Sequence, residues 1–323
     1  MGNNRSRRRA WLAALALASM VAGPPAFAAT TLVVGKAAPN ADPSIPVNVG
    51  DQLGIFKKHG LELKIVDFTG GSKMAQAMAA NSIDIGDGAG TEMALVAKGV
   101  PMMAICESTS TFPFLSIGVP ADSPVKSVAE LKGKKMGISS AGSLTDWLAQ
   151  ELSRKQGWGP EGLMPVTIGN APCGIIAAFH EHLVDADIGT TSLFLNMEQQ
   201  HTARLLIPVS NFVGPAGSGA LYASKHLMDT NPDAIRAFLA GWIETIDYIR
   251  SHKAETVKIE STVTGASESV MSKEYDLTLS MFTKACRFDA ESLATLKRTF
   301  ADLKLLDAPP DMAKLYTEEF LPK

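Results

Sequence analysis

The chain has 323 residues, which is enough for two domains of ordinary size. Hydrophobic residues make up 46% and charged residues 20%, a globular balance that excludes a disordered or fibrous protein. The formal net charge is −3 and no long basic cluster is present, which argues against a nucleic acid as a partner.

The first 28 residues have the pattern of a secretion signal. Arginines at residues 5–9 form a basic head, a short apolar core follows, and Ala26–Ala28 is typical of a cleavage site. The run RRAWL partly matches a twin-arginine signal, so the general and the twin-arginine export routes both remain open. We therefore predict a periplasmic protein whose mature chain starts near Ala29 and is more acidic than the precursor.

From residue 30 onward, short β-type runs alternate with helical patterns. TTLVVG predicts the first strand, SIPVNVGDQLGIFKKHG a helix that ends at Gly60, and LELKIVDF the second strand. KMAQAMAAN predicts a helix, IDIGDG a strand, TEMALVAKG a helix closed by Gly99, and MMAICES and FLSIGV two further strands. This βαβαβ order predicts a mainly parallel sheet with helices on both faces.

The same alternation begins again after Pro120. A short helix is predicted at SVAELKG. Strands are predicted at KKMGIS, MPVTIG, VDADIG and ARLLIPVS. Longer helices are predicted at SLTDWLAQELSRKQG, GIIAAFHEHL and SLFLNMEQQ. From Ser218 one strand, GALYAS, is followed almost entirely by helices. The longest, PDAIRAFLAGWIETIDYIRSH, has apolar residues at helical spacing.

These patterns predict an α/β fold of two lobes. We assign residues 1–28 to the signal, residues 29–116 and 213–323 to lobe one, and residues 117–212 to lobe two. Two crossings between lobes make a hinge, because a few connecting residues can absorb a rotation. In open α/β sheets the ligand lies outside the carboxyl ends of the strands, so two facing lobes would enclose one ligand.

The stretch SSAGSLTD, residues 139–146, is typical of an anion-binding loop. Free N–H groups at a helix start carry partial positive charge, Gly142 lets a ligand approach the backbone, and Ser143 and Thr145 add hydroxyl donors. TGGSKMA and GAGTEMA repeat this chemistry in lobe one. The alternative is that Ser143 is only an N-cap, which stabilises its helix by about 1 kcal/mol.

The predicted ligand-binding residues all lie in loops at strand ends. Asp87 either favours the following helix dipole or receives an amine of the ligand. Lys36 either pairs with an anionic group or is a solvated lysine. The full set is Lys36, Asn40, Gly70, Gly71, Asp87, Gly88, Ser140, Gly142, Ser143, Thr145, Thr190 and Thr191.

The cysteines Cys106, Cys173 and Cys286 are odd in number and widely spaced, which is not a disulfide framework. One pair can form in an oxidising compartment, but we expect three buried small apolar residues. The sequence has no metal-type cluster of His and Cys, and Ser143 lacks the GxSxG pattern of hydrolases. We therefore predict no metal, no cofactor and no catalytic residue.

Several segments, in order, resemble a known family. LGIFKKHGLELKIVDFTGG, NSIDIGDGAG and LVAKGVPMMAI resemble the first lobe of solute-binding proteins of ABC importers for nitrate, sulfonates, taurine and thiamine-pyrimidine precursors. SVAELKGKKMGISSAGSLTDWLAQELSRKQGW and AAFHEHLVDADIG resemble the second lobe, and NPDAIRAFLAGWIETIDYIRSHKAETVKI is similar to the helical return. One departure is His182, where the family usually has Gly. The resemblance implies a type II, hinge-closing periplasmic-binding-protein fold.

The resemblance also implies a non-enzymatic, monomeric binder of a small molecule, with an ABC permease of the inner membrane as its partner. The first ligand expectation is a small organic anion such as an alkanesulfonate or taurine, and the second is an aromatic carboxylate or an aminopyrimidine. Enzymes that make the thiamine pyrimidine resemble the chain in lobe order, but they carry a cysteine-dense motif and a reactive histidine. A sensing module that signals through a receptor is a further alternative.

Overall fold

The computed structural model describes residues 29–38 and 42–322. The predicted signal, residues 1–28, and the predicted site residue Asn40 lie outside the described residues. The strands are short and largely apolar. They are β1 (Thr30–Lys36), β2 (Leu61–Asp67), β3 (Ile85–Ala89), β4 (Met102–Thr109), β5 (Leu115–Pro120), β6 (Lys135–Ile138), β7 (Met164–Thr167), β8 (Ala186–Thr190), β9 (Ala203–Pro208) and β10 (Gly219–Ser224).

Helices connect the strands and make up most of the chain after β10. They are α1 (Ile45–Gln52), α2 (Ile55–Lys58), α3 (Gly71–Ala79), α4 (Met93–Ala97), α5 (Leu144–Lys155), α6 (Pro172–His180), α7 (Thr191–Gln199), α8 (Lys225–Thr230), α9 (Pro232–Ser251), α10 (Lys253–Thr264), α11 (Glu268–Thr278) and α12 (Ala290–Asp302). The single helix expected before Gly60 is divided into α1 and α2, because Gly54 adopts a left-handed φ of 67°. Within the described ranges, no helix has the length and apolar character needed to cross a membrane.

The strands of the described residues form two five-stranded sheets with the antiparallel strand at the same position. In chain order that strand is the last of the first sheet and the first of the second. The strand orders are β2-β1-β3-β10-β4 and β7-β6-β8-β5-β9. In the first sheet β10 runs antiparallel to both neighbours, and in the second sheet β5 does so. The other pairings are parallel, so four of the five strands in each sheet share one direction. The predicted α/β class with two mainly parallel sheets is confirmed.

The chain passes between the sheets twice. It leaves the first sheet after β4, enters the second through residues 110–114, and returns through residues 209–218 to β10. The strands of the second sheet therefore all come from residues 115–208. The exact lobe boundaries given above stay a prediction.

An aspartate precedes the central strand of each sheet, β3 or β8, and makes the same contacts. The Val33 N–H donates to Asp84 Oδ2 at 2.8 Å, and the Asp84 N–H donates to the Val33 carbonyl at 2.8 Å. In the second sheet, the Lys135 N–H donates to Asp185 Oδ2 at 2.9 Å, and the Asp185 N–H donates to the Lys135 carbonyl at 2.9 Å. Each pair of bonds ties the start of one strand to its parallel neighbour.

Helix α9 contributes its apolar face to the core beside the first sheet. Pro232 occupies its first turn, and the Asn231 side chain accepts a hydrogen bond from the Ala234 N–H at 3.2 Å. Phe238 stacks on Phe56 of α2 with a ring separation of 5.1 Å. Burying each large apolar side chain stabilises the fold by about 1.5–3 kcal/mol. The buried face at helical spacing consists of Ile235, Phe238, Leu239, Trp242 and Ile246.

The cysteine expectation is wrong. Cys106 in β4 and Cys286, which precedes α12, form a disulfide, and Cys173 on α6 is exposed. The paired residues are 180 positions apart, so only the fold brings them together. Cys173 lies on the outer face of a surface helix.

Candidate functional site

Lys36 is the buried cation at the end of β1. Its side chain is 4% exposed, and its Nζ lies 3.1 Å from Asp67 Oδ1. Nζ also donates to Asn48 Oδ1 at 3.4 Å. A solvated lysine, one of the two alternatives for Lys36, is therefore wrong. The two partners of Lys36 come from β2, the strand next to β1, and from α1.

Asp87 lies beside Lys36, since the two residues are partners in the β1–β3 register. The Ser44 hydroxyl donates to Asp87 Oδ2 at 2.6 Å. Burial raises the pKa of Asp87 to about 7, while the Ser44 hydrogen bond and the Lys36 charge lower it. Asp87 therefore carries only part of a negative charge at neutral pH.

Three further carboxyl groups, Asp42, Glu260 and Glu274, form what we call the carboxyl cluster. Their residues are 3%, 4% and 1% exposed. Burial raises the pKa of Asp42 well above its ordinary value, and the adjoining Glu274 raises it further. Burial raises the pKa of Glu260 to about 8, and a hydrogen bond from Asn48 Nδ2 at 3.4 Å lowers it. The cluster thus joins the loop after β1 to α10 and α11.

The carboxyl cluster also reaches the second sheet's helices. Helix α11 packs against α7, and Ser267 Oγ donates to Gln199 Oε1 at 3.4 Å between them. Burial raises the pKa of Glu274, whereas the nearby Asp42 and the Ser192 hydroxyl in the first turn of α7 lower it. Strand-end loops of both sheets therefore meet at the cluster.

The helix start at SSAGSLTD is satisfied by its own side chains. The Gly142 N–H donates to Asp146 Oδ2 at 2.8 Å, and the Asp146 N–H donates to Ser143 Oγ at 3.3 Å. The hydroxyls of Ser139, Ser143 and Thr145 lie 2.9–3.0 Å apart. Ser143 is thus an N-cap, and a carboxylate of the chain lies where an anionic ligand was expected.

The glycine loops of the first sheet also adjoin a carboxylate. A Cβ at Gly71, in the first turn of α3, would collide with the Glu92 carboxylate, and Gly88 also lies near that group. Burial raises the pKa of Glu92 to about 7, and the nearby Asp87 raises it further. Gly70, the residue before α3, adopts a φ of 145° that favours glycine. These glycines leave the space that Glu92 fills.

The remaining predicted residues have other surroundings. Thr190 caps α7 by accepting from the Leu193 N–H at 3.3 Å. Thr191 is fully buried, lies 2.7 Å from Ser116 Oγ and donates to the Pro113 carbonyl at 3.1 Å. Ser140 is exposed. Their roles as ligand contacts stay predictions.

The structure therefore brings Lys36 and Asp87 to one site, and it adds residues that sequence reasoning missed. Glu260 and Glu274 lie on helices far along the chain, and they do not follow a strand. Asp42 lies in the loop after β1, but the sequence could not show that its side chain is buried. Ser44 follows the same predicted strand and is polar, whereas Asn48 lies inside the predicted helix and carried no such signal.

Comparison with known proteins gives a family and a fold. Residues 43–256 match the model of a family described as NMT1/THI5 like. A protein of Brucella abortus (strain 2308), named as a binding protein, is 26% identical over 214 residues. The match covers 65% of this chain and spans 65% of that relative's length.

A Saccharomyces cerevisiae 4-amino-5-hydroxymethyl-2-methylpyrimidine phosphate synthase is 24% identical over 298 residues, covering 86% of this chain and 84% of the enzyme. Among solved structures, the alkanesulfonate-binding protein SsuA from Xanthomonas axonopodis pv. citri, bound to MOPS, superposes with a TM-score of 0.76. The two sequences are 19% identical, and the alignment covers 89% of this chain and 98% of the SsuA chain. The fold is thus that of the periplasmic binding proteins.

Proposed function

The chain belongs to the NMT1/THI5-like family, and we propose on that basis that it is the solute-binding component of an ABC importer. It captures a small solute between two lobes in the periplasm and delivers it to a permease of the inner membrane. The observation that carries this proposal is the pair of mainly parallel five-stranded sheets, joined by two crossings. A binder with that architecture needs no catalytic residue, and we propose that the protein is a monomeric carrier.

The proposed mechanism is closure of the lobes around the solute. A solute that contacts both lobes binds the closed form better and shifts the population toward it. Moving a population from 1% to 99% closed requires about 5.5 kcal/mol of differential affinity. Contacts such as Trp147 Nε1 to Asp302 Oδ2, at 3.3 Å, join α5 to α12 and are of the kind that opening would break.

For the ligand we propose a small organic sulfonate of the taurine type. The buried Lys36 at the end of β1 supports an anionic group. The carboxylates Asp146 and Glu92, next to two of the predicted helix starts, favour a ligand that is not purely anionic. An amino-sulfonate satisfies both conditions.

A second candidate is an aminopyrimidine, either carried or made by the protein. The observation that favours it is the match to the yeast pyrimidine phosphate synthase over 86% of this chain. An enzyme of that kind would produce pyrimidine phosphate, whereas a carrier would only bind the pyrimidine. Product analysis separates the two.

The test is a ligand screen on the purified mature protein. Taurine, alkanesulfonates, carboxylates, nitrate and aminopyrimidines are compared by thermal unfolding and by small-angle scattering. A ligand at 100 times its Kd stabilises the folded state by about 2.7 kcal/mol, and closure lowers the radius of gyration. If no compound in this range changes either quantity, the proposed function fails.

A further inference from the structure

Helices α5 and α12 lie side by side, although they belong to different units of the fold. Helix α5 follows β6 of the second sheet, and α12 follows β10 of the first. Trp147 Nε1 donates to Asp302 Oδ2 at 3.3 Å, and Arg298 Nη2 lies 3.9 Å from Glu151 Oε1. The two residues of each helix are four positions apart, so they lie on one face of it. The contacts therefore join one face of α5 to one face of α12.

These contacts follow an antiparallel register. The earlier residue of α5 meets the later residue of α12, and the later residue of α5 meets the earlier one. A third contact extends the series beyond both helix ends, because a Cβ at Gly142 would lie 3.3 Å from Leu305 Cδ2. Three contacts in one consistent register describe an interface between two elements, which a chance encounter of two long side chains would not produce.

The opposite face of α12 is anchored in the first unit. Leu296 and Phe300 are buried in one cluster with Tyr222 of β10. Before the helix, the Asp289 N–H donates to Glu107 Oε2 of β4 at 2.7 Å. Helix α12 is thus fixed to the first sheet, so a rotation of one lobe against the other moves α5 relative to α12.

The interface lies next to the segments that cross between the sheets. The Ser218 hydroxyl in the second crossing donates to the Thr111 carbonyl in the first at 2.6 Å, which ties the crossings together. Phe112 of the first crossing packs against Trp147 with a ring separation of 6.4 Å. Paired connecting segments of this kind act as a hinge. Trp147 therefore links the hinge to the contact with α12.

We propose that the α5–α12 interface is a latch that holds the two lobes closed before any solute arrives. The inference rests on the proposed function and adds residues that set affinity without touching the solute. A solute that binds only the closed form has an apparent affinity proportional to the closed fraction. Asp302 and Arg298 thus act on capture by raising that fraction, and their effect is the same for every solute.

The first experiment measures the latch in the protein without any solute. Single-molecule energy transfer between dyes on the exposed Cys173 and on a cysteine introduced at the exposed Ala254 of α10 reports the closed-to-open ratio. Asp302→Ala removes the acceptor and lowers this ratio about three- to tenfold. Asp302→Asn keeps an oxygen acceptor and retains most of it. Asp302 is exposed, so both variants keep the fold.

The second experiment removes the donor and has a matched control. Trp147→Phe keeps a buried aromatic ring, loses the indole N–H and lowers the ratio in the same direction. The control is Trp242→Phe in α9, another buried tryptophan, whose Nε1 has no hydrogen-bond partner within the described residues. It leaves the ratio unchanged. The double variant of Trp147→Phe with Asp302→Ala opens no further than either single variant, because both remove the same bond.

The third experiment reverses a charge of the latch. Glu151 is a buried carboxylate whose side chain is 3% exposed, whereas that of Arg298 is half exposed and tolerates substitution. Arg298→Glu places a like charge opposite Glu151 and lowers the closed-to-open ratio more than Arg298→Ala does. The difference between these two variants shrinks as the salt concentration rises, because salt screens the repulsion.

The possible failures are distinct. An unchanged or increased closed-to-open ratio in Asp302→Ala, Trp147→Phe and Arg298→Glu overturns the latch and leaves the proposed function intact. Calorimetry with taurine and ethanesulfonate adds a second readout, since Asp302→Ala should weaken both by one common factor. A loss confined to one of the two means that Asp302 contacts that probe, which also overturns the latch. If no compound of the screen binds while the variants open, the proposed function fails and the latch is supported.

Discussion

The two sheets have their antiparallel strand at the same position but differ in the chemistry of their strand ends. In both, an aspartate before the central strand, Asp84 or Asp185, holds the neighbouring strand in register. The first sheet ends in the buried charges Lys36 and Asp87, whereas the second ends in hydroxyls such as Ser143 and Thr190. The topology is therefore carried by the repeated contacts, and the ligand chemistry can differ between lobes without disturbing them.

The disulfide gives the largest expected difference between the lobes, because it joins parts of the first only. Cys106→Ser with Cys286→Ser releases a loop of 180 residues and should lower the free energy of unfolding by about 4 kcal/mol. Urea unfolding followed by fluorescence and circular dichroism measures the loss. Cys173→Ser is the control and should unfold like the wild type. A double variant as stable as the control would contradict the prediction.

The buried carboxyl group of Asp187 in the second sheet should make the free energy of unfolding depend on pH. Burial raises its pKa to about 8, and within the described chain its carboxylate oxygens have no hydrogen-bond partner. The folded state retains a proton that the unfolded state loses above about pH 4, so stability declines as pH rises toward 8. Asp187→Asn should remove this decline and stabilise the protein at pH 8 by about 1–3 kcal/mol. Chemical unfolding at pH 5 and pH 8 measures the effect. Parallel profiles for variant and wild type would contradict it.

The two register aspartates offer a direct comparison of the sheets. Asp84→Ala and Asp185→Ala each leave a backbone N–H without its partner and should cost about 1–2 kcal/mol. The Asp84 change should cost more, because its hydrogen bond is partly buried while that of Asp185 is exposed. Equilibrium unfolding of the two variants measures both losses, and a larger loss at Asp185 would contradict this ranking.

The smallest expected effect concerns the helix starts. Ser143 caps α5 with its hydroxyl. In α3 the N-cap position is occupied by Gly70, which has no side chain to form a cap. Ser143→Ala should cost about 1 kcal/mol, and Ser143→Asp, which keeps a capping oxygen, should cost less. Thermal unfolding of both variants tests the cap. Equal losses would indicate that the neighbouring hydroxyls, rather than the cap, set the cost.

Local patterns in the sequence were sufficient for most of the fold. Short β-type runs mark β1 and β3, and the spacing of Ile235, Phe238 and Trp242 marks α9. The break between α1 and α2 was missed, because a single glycine such as Gly54 is compatible with either a continuous or a divided helix.

The site was harder to predict than the fold. SSAGSLTD and TGGS were correctly expected at helix starts, but spacing alone cannot say that Asp146 accepts from the Gly142 N–H or that Glu92 fills the space beside Gly71. The partners of Asp42, by contrast, come from α10 and α11, more than 200 residues away. Long-range pairings of this kind, like that of Cys106 with Cys286, have no local signature.

The position of β10 between β3 and β4 has a consequence for how the protein is made. Both neighbours are synthesised well before β10, and the whole second sheet is synthesised in between. Until then the facing edges of β3 and β4 lack the strand that joins them, and unpaired edges promote misassembly. The strands of the second sheet are all synthesised by residue 208, so that sheet can form before the first sheet is complete.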